Sequence, residues 1–110
     1  MIPLSQGDVV VIGFDPSLGH EPSKRRPAVV LSSTDFNLRS SLVALAPVTS
    51  RDNGYPFHYG LFGYDFVRGY ACVEQLKNLD CRMRNCDRVG RLRGEDTLSL
   101  LELVGAVYGI

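Results

Sequence analysis

The chain has 110 residues, 45% hydrophobic and 22% charged, and its 12 basic and 12 acidic side chains cancel to zero formal charge. A chain of this size holds one domain with a modest core. The neutral balance excludes a partner recruited by whole-molecule charge, and no apolar run approaches the roughly 20 residues that span a bilayer. Met1-Ile2-Pro3-Leu4 lacks the regions of a signal peptide, so a soluble, cytoplasmic single domain over residues 1–110 is expected.

In chain order, Asp8 to Phe14 is rich in β-branched residues and reads as a strand buried on much of both faces. Asp15-Pro16 ends it, and the aperiodic stretch from Pro16 to Arg25 reads as a long loop. A second strand is expected over Pro27 to Leu31, with Pro27 at its first position, where no ladder N–H is required. Ser32 to Asn37 predicts a turn or a single helical turn with Ser33 or Thr34 as its cap. Leu42 to Val48 predicts a third strand, in which Pro47 indicates an edge or a bulge. After a loop over Arg51 to Pro56, short strands are expected at Phe57–Leu61 and Tyr70–Glu74, with one or two more between Lys77 and Arg93. From Glu95 the period changes: Leu98, Leu101, Val104 and Tyr108 recur at helical spacing, Leu100, Leu103 and Val107 widen the stripe, and Asp96 suits the helix N-terminus. Five to seven short strands and one C-terminal helix predict a mainly β fold, a small barrel or half-barrel with the helix packed on it.

Three cysteines, Cys72, Cys81 and Cys86, have no C-x-x-C spacing, and His20 and His58 are far apart, which argues against a disulfide framework and a zinc site. Lys77, Arg82, Arg84, Arg88, Arg91 and Arg93 form one basic group and Lys24-Arg25-Arg26 a second. If the fold unites them, they make a local phosphate-binding face; singly, each is a solvated surface charge.

Arg26 precedes Pro27, which holds its backbone extended where loop meets strand. A guanidinium there can donate two parallel hydrogen bonds to a phosphate and stabilise charge developing on it. Thr49 and Ser50 follow another strand, and their hydroxyls can donate to a phosphate oxygen or cap the next turn. Tyr55, Phe57, Tyr59, Phe62, Tyr64 and Phe66 make the middle of the chain aromatic. The alternation of Tyr55, Phe57 and Tyr59 predicts one strand face, suited to core packing for some of them and to base stacking for one or two.

The ordered blocks Gly7-Asp8-Val9-Val10-Val11, Phe14-Asp15-Pro16, Gly19-His20-Glu21, Arg26-Pro27-Ala28-Val29-Val30-Leu31-Ser32, Pro47-Val48-Thr49-Ser50, Gly54-Tyr55-Pro56-Phe57 and Glu74-Gln75-Leu76-Lys77 together resemble the MazF/PemK family of bacterial toxins. The resemblance implies an SH3-like barrel acting as a homodimeric endoribonuclease on single-stranded RNA. It further implies sequence-selective cleavage without metal or other cofactor, to a cyclic phosphate and a 5′-hydroxyl, and neutralisation by an antitoxin with an acidic disordered tail. It places the two central catalytic positions on Arg26 and Thr49 and an auxiliary one on Glu21, with Phe14, Gln75 and Lys77 as groove contacts. Residue type adds His20 beside Glu21 as a candidate base, and Lys24, Arg25, Ser50, Tyr55, Arg82 and Arg84 as RNA contacts. The same architecture also serves toxins that inhibit a protein target, such as a topoisomerase, by docking alone, so a non-enzymatic binding module is the alternative.

Overall fold

The computed structural model describes residues 3–13, 25–52, 54–81 and 86–110. Its elements are β1 (Asp8–Gly13), β2 (Arg25–Val30), α1 (Thr34–Ser40), β3 (Val43–Thr49), β4 (His58–Leu61), β5 (Gly69–Cys72), a 3-10 turn (Val73–Gln75), β6 (Lys77–Leu79), β7 (Asp87–Arg91) and α2 (Gly94–Tyr108). All seven strands belong to one sheet of order β4-β5-β3-β2-β1-β7, with β6 also bonded to β3 and every pairing antiparallel. The mainly β fold with a C-terminal helix is as expected. The barrel is open, because β4 and β7 end the strand order and no pairing joins them among the described residues.

β1 and β2 are apolar without alternation because both faces of the sheet are covered there. Val9, Val29, Leu31, Ala46, Val48, Ala71 and Val73 face one cluster, which also holds Leu92 and Leu100. Val10, Ile12, Ala28, Val30, Val43 and Leu45 face a second cluster, closed by Leu4, Leu79, Cys81 and Cys86. α2 covers the first. Leu100 is fully buried, and Leu101, Leu103, Val104 and Val107 pack beside it. Leu98 and Tyr108, read as part of the same stripe, instead remain 64% and 59% exposed.

Several boundaries differ from expectation for local reasons. β2 starts at Arg25, so Pro27 is its third residue, paired with Val11. The helical turn after β2 lengthens into seven-residue α1, whose N-terminus Ser33 caps by accepting the Phe36 N–H at 3.2 Å. β3 is an interior strand rather than an edge, and Pro47 is buried in it. Pro47 lies in the gap between the part of β3 bonded to β6, Val43 to Leu45, and the part bonded to β5, Val48 and Thr49. At the end of β5 the chain tightens into the 3-10 turn, which takes Glu74 out of the expected strand.

Two carboxylates, one buried and one half-buried, tie distant segments together. Asp8 is fully buried and accepts the Ser5 N–H at 2.8 Å and the Arg91 Nε–H at 2.9 Å, joining the start of β1 to β7. Asp96, in the first turn of α2, accepts the Tyr59 hydroxyl at 2.6 Å, the Tyr64 hydroxyl, and the Arg93 guanidinium at 3.2 Å. Burial pushes the Asp96 carboxyl up, but the two tyrosine hydrogen bonds and Arg93 outweigh it and hold the group below the ordinary carboxylate range.

Because Asp96 binds its proton less readily folded than unfolded, its contribution is present above the ordinary carboxylate pKa of about 3.9 and is lost as pH falls through the lower folded value. Asp96→Asn is expected to cost about 1–3 kcal/mol at neutral pH. It is also expected to flatten the acid limb of stability against pH below about 4, measured by urea unfolding at a series of pH values.

Candidate active site

The β2–β3 register pairs Ala28 with Pro47, Val29 with Ala46 and Val30 with Leu45. Continued two places toward the loop ends, it sets Arg26 opposite Thr49. Thr49 in turn pairs with Tyr70 of β5, and Tyr70 with Gly60 of β4. Directly opposed residues project from the same face of a sheet. One row therefore carries Arg26, Thr49 and Tyr70, on strands where Arg26 is exposed and Thr49 and Tyr70 are half-buried. The neighbouring row runs Ala28, Pro47, Cys72, His58, of which Cys72 and His58 are a recorded pair. This is the face that the second cluster covers around Val30 and Leu45, and at its other end Arg26 is exposed although Ile12, paired with it, is fully buried.

The chemistry of Cys72 shows how closely the rows approach. Its thiol pKa is raised, first by burial and then by the charge of Glu74, while a hydrogen bond with the Thr49 backbone and the Arg26 guanidinium pull it the other way. Cys72 thus feels Thr49 and Arg26 as well as Glu74. The Thr49 hydroxyl accepts the Arg51 N–H at 3.3 Å, so it does cap the following turn, and its own hydrogen stays available to donate. Gly69 allows β5 to come this near. It has φ +131°, and a Cβ there would stand 2.3 Å from the Thr49 carbonyl oxygen.

The other expected site residues divide. Arg25, one residue from Arg26 and on the opposite face, is engaged in the fold: its guanidinium donates to Asp87 at 2.6 Å and to the Val11 carbonyl at 3.0 Å. Ser50, Gln75 and Lys77 are exposed, and Gln75 donates to Glu74 at 3.5 Å. Tyr55 lies ahead of β4 rather than in it and is 57% exposed, its ring edge-on to His58 at 5.1 Å. Tyr59, Tyr64 and Phe66 pack on the first cluster, whereas Phe62 stays exposed with its ring 6.0 Å from that of Tyr70. Phe14, His20, Glu21, Lys24, Arg82 and Arg84 lie outside the described residues.

Sequence reasoning missed Tyr70 and the group His58, Cys72 and Glu74. A ring nitrogen of His58, Cys72 Sγ and a Glu74 carboxylate oxygen come within 4.8 Å of one another. Their separations along the chain, 14 and 2 residues, match no ligand motif; only the β4–β5 register unites them.

A family model described as the PemK-like, MazF-like toxin of type II toxin–antitoxin systems matches residues 5–108. The chain belongs to that family. It is 31% identical to the endoribonuclease toxin MazF of Escherichia coli K12 over 103 residues, covering 94% of this chain and 92% of that one. It is 35% identical to the endoribonuclease toxin ChpB of the same strain over 92 residues, 77% of each. A crystal structure of MazE–MazF from Deinococcus radiodurans superposes with a TM-score of 0.90 at 31% identity, over 100% of this chain and 99% of that chain. The family resemblance read from the ordered blocks is thereby established.

Gly69→Ala tests the geometry that holds Thr49 in place. The strained φ and the backbone collision together are expected to cost about 1–3 kcal/mol, read by urea unfolding. An amide chemical-shift change at Thr49 larger than that at Val10, whose strand is not bonded to β5, is the accompanying signature.

Proposed function

We propose that this chain is an endoribonuclease toxin that cuts single-stranded RNA at a phosphodiester held between Arg26 and Thr49. The observation that supports this reading is the β2–β3 register, which, continued two places past the Ala28–Pro47 pair, leads to Arg26 opposite Thr49, the first exposed and the second half-buried. Family membership and the named activities of the relatives supply the reaction class.

The reaction is attack of a ribose 2′-oxygen on the adjacent phosphorus, leaving a 2′,3′-cyclic phosphate and a 5′-hydroxyl. The 2′-oxygen gives up its proton, the phosphorane oxygens carry extra negative charge, and the departing 5′-oxygen takes a proton. A guanidinium with a pKa above about 12 is unsuited to remove a proton near neutral pH. Arg26 therefore acts on the phosphorane charge, as a fixed double donor, and can stand behind protonation of the leaving oxygen. Thr49 donates its hydroxyl hydrogen to a phosphate oxygen. Glu21, from the resemblance, is the auxiliary group, and none of these steps draws on a metal. Tyr70 in the same row, with Phe62 beside it, offers aromatic faces on which unpaired bases stack.

In this reading the toxin is a homodimer neutralised by an antitoxin with an acidic disordered tail. For the relative from Deinococcus radiodurans, a crystal structure holds MazE together with MazF. The exposed Leu98, Tyr108 and Ile110 on and after α2 supply apolar area for a subunit contact. Among the described residues no helix is long and apolar enough to cross a membrane.

Incubation with a long defined RNA in EDTA, followed by end mapping, is expected to show cuts carrying cyclic phosphate and 5′-hydroxyl ends. Arg26→Ala is expected to lower kcat at least about 100-fold, and Thr49→Ala about 10-fold or more, with circular dichroism unchanged. Undiminished cutting by the Arg26 variant would sink the assignment. Sedimentation is expected to give a dimer for the parent chain and a monomer for Leu98→Glu.

A further inference from the structure

We propose that His58, Cys72 and Glu74 form a binding site for a thiophilic divalent cation of the Zn2+ type, and that its occupancy brakes RNA cleavage. The second half rests on the ribonuclease reading; the first does not.

The fold assembles this group with little freedom. His58 and Cys72 are directly opposed across β4 and β5, and the 3-10 turn brings Glu74 back over the end of β5. The His58 side chain is 3% exposed and Cys72 also 3%, while Glu74 keeps 29% and faces the solvent entry. His58 Nε2 lies 2.8 Å from the Glu74 carboxylate, which accounts for one ring nitrogen. The other, Nδ1, is buried with no hydrogen-bond partner among the described residues. A buried ring nitrogen without a partner calls for a function, because native proteins pair nearly all such atoms.

Imidazole nitrogen, thiolate sulfur and carboxylate oxygen are each zinc ligands, and three protein ligands leave a fourth position open to water or substrate. Bond lengths of about 2.0–2.3 Å to a tetrahedral ion put ligand atoms about 3.3–3.6 Å apart. Atoms that already lie within 4.8 Å need to close by about 1 Å. Binding forms metal–nitrogen, metal–oxygen and metal–sulfur bonds, and the Cys72 thiol proton leaves to solvent. The thiolate and the Glu74 carboxylate then offset both charges of the ion, so a neutral unit replaces a buried polar one. The soft sulfur selects Zn2+ or Co2+ over Mg2+.

Position explains the brake. Cys72 lies on β5 two residues from Tyr70, which pairs directly with Thr49, so its row neighbours the row of Thr49. An ion held on Cys72 therefore alters the neighbourhood of both groups that grip the scissile phosphate, and its open coordination position competes for a phosphate oxygen.

The test uses the full chain, stripped with chelator and titrated with Co2+ while the thiolate-to-cobalt charge-transfer absorption is followed; Zn2+ stoichiometry is taken from equilibrium dialysis. One ion per chain is expected. Cys72→Ser and His58→Ala should abolish the band, and Glu74→Gln, at a partly solvated position that tolerates change, should weaken binding at least 10-fold. A Cys81→Ser/Cys86→Ser double variant should keep the band, since those thiols pack on the second cluster instead. Absence of the band, or a band that follows Cys81 and Cys86, overturns the site. RNA cutting by the metal-free chain should fall at least 10-fold at stoichiometric Zn2+ and return with chelator. Binding without any change in cutting overturns the brake, whereas a metal-free chain that never cuts RNA counts against the ribonuclease reading and leaves the spectroscopic result standing.

Discussion

The antiparallel register between β2 and β3 is the constraint on which the rest of the molecule depends. It is fixed by burial on two sides: Val29 and Ala46 must reach one cluster while Ala28, Val30 and Leu45 reach the other. A slip of one residue would exchange the faces of every side chain on the strand and empty both clusters at once. The same register that satisfies the core sets Arg26 opposite Thr49, 23 positions away along the chain. What Arg26 faces across the sheet is thus specified by packing several residues away.

Electrostatics follow the same division. The charged groups that stabilise the fold are Asp8 and Asp96, both withdrawn from solvent and saturated with donors. Arg25 belongs with them, joined to Asp87. Arg26 next to it projects from the opposite face because strand residues alternate. Adjacent arginines with the same side chain therefore have different duties, one holding β7 to the sheet and the other facing the opening.

The fold class was legible because β-branched runs and the shift to helical spacing after Glu95 are local signals. Arg26 and Thr49 can be proposed as a pair only through ordered blocks, since nothing local in Pro47-Val48-Thr49 reports what lies across the sheet. Misreadings share a physical origin. Leu98 and Tyr108 fit the helical stripe, but α2 meets the sheet along the line of Leu100, Leu101, Val104 and Val107, which leaves them outside. Proline suggested an edge at Pro47, whereas β3 is interior and changes partners there. His58, Cys72 and Glu74 escaped notice because register, not spacing, unites them. Arg25 looked like its neighbour in sequence, but it points to the other face, where it bonds Asp87 and the Val11 carbonyl.

Pro47 itself has a consequence for how the sheet divides. A strand that serves two neighbours in succession must have a point where it is bonded to neither, and here that point holds a residue with no donor to lend. The fork is therefore permanent: β6 and β5 diverge from a seam that no additional hydrogen bond can zip shut. The seam lies beside the row that carries Cys72 and His58, so that row belongs wholly to the β4–β5 arm and ends where the sheet divides.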